Sequence, residues 1–62
     1  MNKYDLVKAE SYEYHNGNVI VWGYDRYGCM VHKVFMMYDS LADVKRKMIS
    51  DGVKNVSHMY KC

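Results

Sequence analysis

Proline is missing from this chain altogether. With it go the commonest helix stop, kink and stiff-linker residue. No Gly/Ser-rich spacer, internal repeat or low-complexity tract is present either, so the 62 residues read as a single compact domain over 1–62. Cysteine is scarce: Cys29 and Cys62 are too few for a disulfide framework. No stretch approaches the roughly 20 apolar residues that a membrane span needs. The start, Met1 to Asp5, leads into no apolar run of signal-peptide length. Together these absences predict a cytoplasmic chain with free thiols and no membrane contact.

Charge of one sign is also lacking. Nine Lys and Arg stand against seven Asp and Glu, for a net charge of +2. A dedicated nucleic-acid binder of this length is more often strongly basic. Recognisable catalytic chemistry is absent as well. There is no nucleophile elbow, no phosphate-cradling glycine loop and no paired-carboxylate motif. His15, His32, His58, Cys29 and Cys62 are the metal-ligand candidates, and only Cys29 and His32 are close in sequence. Their spacing of three puts them on opposite faces of a strand, and no second pair completes a zinc set. A domain this small buries only about 60% of its unfolded surface, which leaves little room for a catalytic pocket. The expectation is a non-enzyme with no catalytic residue, metal or cofactor.

What the chain does have is apolar and aromatic strand material. Half of it is hydrophobic, with seven Tyr, six Met, one Trp and one Phe. That content is too high for a disordered chain, and aromatics and Met are the types enriched at interface cores. The segment Val19 to Tyr24 and the segment Met30 to Tyr38 are rich in β-branched and aromatic residues. Between Tyr14 and Val19 stands Asn16-Gly17, the strongest short hairpin signal. Between Tyr24 and Met30, the run Asp25-Arg26-Tyr27-Gly28 fits a type I turn closed by a left-handed glycine. These turns predict three antiparallel strands, the first over Tyr4 to Tyr14, although Asp5 to Glu10 also fits an opening helical turn. They also predict a register. Tyr14 lies opposite Val19, Tyr12 opposite Val21 and Ser11 opposite Trp22. Across the second turn, Tyr24 faces Met30, Trp22 faces His32 and Ile20 faces Val34.

Side chains alternate across a strand, so this register sorts the hairpins into two faces. One carries Ile20, Trp22, Tyr24, Met30, His32, Val34 and Met36. The other carries Tyr12, Tyr14, Val19, Val21, Val31, Lys33, Phe35 and Met37. A helix follows, capped at Asp39 or Ser40, with Ser40 and Asp43 at capping-box spacing. Its apolar stripe is Leu41, Val44 and Met48, with Ile49 at the edge, while Asp43, Arg46 and Lys47 face solvent. Gly52 is a natural stop. Val53 to Tyr60 reads as a last strand, with Val56, His58 and Tyr60 on one side. The fold class predicted is α+β: an antiparallel sheet of about four strands in the order β-β-β-α-β, with one helix on one face.

A single helix covers one face, and the aliphatic Val19, Val21, Val31 and Phe35 suit it. Trp, Tyr and His tolerate a half-wet surface, so the open face is assigned as the contact surface. The candidate partner-binding residues are Ile20, Trp22, Tyr24, Tyr27, Met30 and His32, with Arg46 and Lys47 on the helix. The alternative reading is a nucleic-acid-binding module using the same sheet and the basic run Lys45-Arg46-Lys47. A homodimer is a further way to cover an open face.

From Val19 onward the layout is strand, turn, strand, helix, strand, set by Val19 to Trp22, Val31 to Tyr38, Asp39 to Val44 and Val53 to Tyr60. At that level it resembles small phage-encoded proteins that bind and inhibit a host enzyme, such as the RNA polymerase inhibitor of T7-like phages or the antitoxin-like inhibitor of T4-type phages. The resemblance is architectural. It implies a compact inhibitor that works by occluding a protein partner, and it transfers no site residue.

Overall fold

The computed structural model describes residues 5–36 and 40–62. Strand β1 spans Lys8–His15, β2 Asn18–Tyr24 and β3 Met30–Phe35. Helix α1 spans Leu41–Ser50, and a two-residue strand β4 at Tyr60–Lys61 follows a 3-10 turn at Val56–His58. The domain is α+β, with a four-stranded sheet in the order β3-β2-β1-β4.

Both turns form as their residues dictate. Asn16 and Gly17 take φ values of 48° and 80°, the double positive φ of a type I′ turn. Gly28 sits at φ 83°, and the Asp25 N–H donates to Cys29 O at 2.9 Å to close the second hairpin. The Asp25 carboxylate accepts from the backbone N–H groups of Tyr27 and Cys29, each at 2.9 Å. The observed register pairs Tyr14 with Val19, Tyr12 with Val21, Ser11 with Trp22, Trp22 with His32 and Tyr24 with Met30, as the turn chemistry predicts. Gly17→Val is expected to lower stability by about 1 kcal/mol, because a β-branched residue resists positive φ. For a domain of this size that is a drop of roughly 4–8 °C in the melting temperature. An unchanged thermal melt would contradict the turn assignment.

The first strand departs from simple alternation. Its register shifts between Ala9 and Ser11, which makes Glu10 the extra residue of a β-bulge. Ala9 and Tyr12, of opposite parity, therefore both lie on the core side. Ala9 is fully buried opposite Gly23, and Tyr12 packs against the core. The strand starts at Lys8, not at Tyr4, which lies outside the described residues. No helical turn forms over the described part of the Asp5 to Glu10 segment. Val7 instead extends along the sheet, its N–H donating to Tyr24 O at 2.9 Å.

Helix α1 follows its sequence signals closely. Ser40 is the N-cap, its hydroxyl oxygen accepting from the Asp43 N–H at 3.2 Å while the hydroxyl donates to the Asp43 carboxylate at 3.0 Å. That carboxylate also pairs with Arg46. Asp39 lies outside the described residues. At the far end the Gly52 N–H donates to Ile49 O and the Val53 N–H to Met48 O, the paired bonds of a Schellman stop. Val44 and Met48 are wholly buried, Leu41 packs at the rim of the core, and Ile49 is exposed. Val44 and Met48 join Leu6, Ala9, Val19, Val21, Phe35, Val53, Val56 and Met59 in one cluster.

The last segment corrects the expected antiparallel strand over Val53 to Tyr60. β4 runs parallel to β1, pairing Ser11 with Tyr60 and Tyr12 with Lys61. The reason is topological. β3 runs in the same direction as β1, and a helical crossover returns the chain in that same direction. Among the described residues Lys54 alone bridges β1 before the chain leaves the ladder, where Asn55 adopts φ 66° and its side-chain amide donates to Ala9 O at 3.0 Å. The 3-10 turn then breaks the expected parity of Val56, His58 and Tyr60: Val56 is buried and the other two are exposed.

Candidate functional site: the uncovered sheet face

The side chains of Val19, Val21 and Phe35 go under α1, so their neighbours Ile20, Trp22, Tyr24, Met30, His32 and Val34 lie on the opposite face. Among the described residues no element covers that face. Ile20, Trp22 and Tyr24 are half-buried by one another and by β1, while Met30, Val34 and Met36 are 58%, 42% and 55% exposed. The Trp22 ring lies 4.7 Å from the His32 ring, tilted by 36°, as their cross-strand pairing requires. The methionines divide: Met48 and Met59 fill the core, Met30 and Met36 stand on the surface, and Met37 lies outside the described residues.

Two carboxylates that the residue pattern did not single out complete this face. The Trp22 indole N–H donates to Glu13 at 2.9 Å, and the Tyr24 hydroxyl donates to Glu10 at 3.1 Å. Glu13 sits opposite Ile20 in the register, next to Trp22. Glu10 reaches the face because it is the bulged residue. The position of Glu13 was already implied by the pairing of Ser11 with Trp22. That of Glu10 was hidden, because alternation has no place for a bulge. The Glu10 hydrogen bond and its negative charge raise the Tyr24 pKa above its ordinary value of 10.0. Each carboxylate uses one oxygen on its aromatic partner, which orients the ring and leaves the other oxygen to accept from a ligand.

The other candidate residues do not join this surface. Tyr27 is 77% exposed at the tip of the second hairpin, where the Arg26 guanidinium lies 5.2 Å from its ring centre. Arg46 and Lys47 are on the outer side of α1, which packs on the far face of the sheet. The sheet and the basic helix run therefore point away from each other. Cys29 and Cys62 are exposed thiols, and among the described residues no three His, Cys, Asp or Glu side chains come together as a metal set. No described helix is long and apolar enough to cross a membrane.

This geometry defines the molecule as a small α+β domain with a half-open aromatic sheet. No protein-family model, curated protein or solved structure matches the chain.

Proposed function

We propose that this domain is a non-catalytic binding protein that docks its open sheet face on a larger protein and inhibits or modulates it, in a bacterial cytoplasm. The observation that carries this reading is the Trp22–His32 stack with Ile20, Tyr24 and Met30 around it, uncovered and held in place by Glu13 and Glu10. Oriented aromatics on an apolar ground are the residue types that dominate binding hot spots. The architectural resemblance to phage-encoded inhibitors points the same way.

A protein partner is favoured over nucleic acid by charge. Glu10 and Glu13 outnumber Lys8, the cation opposite Tyr24 on this face, and two carboxylates beside the stacking rings repel a phosphate backbone. The basic residues Arg46 and Lys47 cannot offset this from the opposite side.

Trp22→Ala is expected to keep the far-UV circular dichroism of the domain while weakening partner binding by about 30-fold, the equivalent of about 2 kcal/mol. Immobilised wild type and variant compared on the same bacterial lysate, then titrated with the recovered protein, give this number. In the free protein, acrylamide should quench the lone Trp, and the complex should protect it. The neutral quencher suits a face whose carboxylates repel iodide. Binding that survives Trp22→Ala but is abolished by Arg46→Glu with Lys47→Glu, and that falls steeply with salt, would instead favour nucleic acid on the helix.

A further inference from the structure

The two edges of the sheet are not alike. On one side β1 is closed by β4, the Lys54 bridge and the Asn55 amide. On the other, β3 is the terminal strand, and among the described residues nothing pairs with its outer side. The hydrogen-bond phase of that edge follows from the second hairpin. Asp25 bonds across to Cys29, so by alternation Gly23, Val21 and Val19 bond to Val31, Lys33 and Phe35. The backbone N–H and C=O groups of Met30, His32 and Val34 therefore point outward.

Natural edges are blunted by proline, a bulge, a covering element, or charge on the strand, Lys and inward-pointing charge included. Among the described residues β3 carries only the last of these, in Lys33. It contains no proline, and its register against β2 is unbroken from Met30 to Phe35. Its one charged residue, Lys33, lies on the helix side with Val31 and Phe35, its ammonium 5.9 Å from the Phe35 ring centre.

We propose that β3 is a self-pairing edge, and that two copies of this chain join antiparallel about His32 into one continuous sheet. The strand selects this register itself. Centring on His32 pairs Met30 with the partner's Val34 and lets each outward backbone group meet an outward group. It also sets Lys33 against the partner's Val31. Centring one residue later would place Lys33 against the partner's Lys33, and like charges directly opposite are destabilising. Centring one residue earlier leaves Val34 without a partner on the outward ladder. Because paired residues share a face, the two open aromatic faces merge on one side of the sheet and the helices lie together on the other. The existing pairs extend into rows: Trp22, His32, the partner's His32 and the partner's Trp22 in one, and Ile20, Val34, the partner's Met30 and the partner's Tyr24 beside it. The result is one aromatic surface twice as wide as that of a single copy.

The experiment is sedimentation velocity from micromolar to about 0.5 mM protein, the range in which weak edge pairing is populated. The wild type should move from a 7.4 kDa species toward twice that mass as concentration rises. His32→Ala keeps the outward N–H and should still dimerise. His32→Pro removes that N–H without touching the bonds to β2 and should stay monomeric. A wild type that is monomeric throughout, or a dimer that persists in His32→Pro, overturns the proposal.

Cysteine cross-linking reads the register independently, and it decides the matter if His32→Pro proves unfolded. In a Cys29→Ser, Cys62→Ser background, His32→Cys should cross-link on mild oxidation. Val34→Cys alone should lag well behind, and Met30→Cys with Val34→Cys should restore fast linkage. Equal rates for His32→Cys and Val34→Cys would refute pairing about His32. The test is separable from the protein-binding reading, because Trp22→Ala disables the face and leaves the edge groups in place.

Discussion

Gly23→Ala is expected to cost about 3 kcal/mol, the upper part of the range for overpacking a tight site. A domain of 62 residues has only about 3–9 kcal/mol in hand, on the usual per-residue stability. The substitution therefore removes a third or more of it. The cause is backbone approach. A Cβ at position 23 would fall on the Lys8 carbonyl oxygen and lie 2.6 Å from Leu6 Cδ1. Neither neighbour can give way cheaply. Lys8 is fixed by the bridge to Lys54, with the Lys54 N–H donating to Val7 O and the Ala9 N–H to Lys54 O, each at 2.9 Å. Leu6 is 1% exposed in the core. Urea unfolding followed by circular dichroism measures the loss. A midpoint equal to that of the wild type would mean that the crossing of β1 over Gly23 is wrongly placed.

The second large effect lies across the core. Met48→Ala deletes a side chain with no exposed surface and should cost about 2–5 kcal/mol, as transfer free energy plus the cavity left behind. Ile49→Ala, the next residue, is the control. Ile49 is 55% exposed, so its truncation should stay within about 0.5 kcal/mol of neutral. Alanine's better helix propensity pushes in the stabilising direction. The pair tests the rotation of α1 about its axis. If Ile49→Ala proves the costly one, the helix presents a different stripe to the sheet, and the uncovered face loses its definition.

The same contrast separates what local signals control from what they do not. Asn16-Gly17 and Asp25 to Gly28 set the turns, and the turns set which residue opposes which, because a hairpin's register is fixed by its loop. Ser40 and Gly52 set the ends of α1 through hydrogen bonds made within a few residues. All of these are short-range backbone preferences, so they are legible in the chain. The sorting of Ile20, Trp22, Tyr24, Met30 and His32 onto one face was legible for the same reason.

The bulge at Glu10 was not, because it answers to partners far away in sequence. It lets Ala9 pack into the core over Gly23 while Glu10 turns out toward Tyr24. The choice of the β1 edge by β4 and the 3-10 turn that shortens it were not either, since β1 and β3 run in the same direction and only packing selects between their edges. The separation of Arg46 and Lys47 from the aromatic face follows from the side of the sheet on which α1 settles. By itself, the amino-acid sequence determined the hairpins, their register, the helix and the apolar character of both sheet faces. Only the tertiary structure decided how the two carboxylates meet the aromatic rings and which edge β4 closes. Those outcomes depend on long-range packing, where one inserted residue reverses the alternation that local patterns rely on.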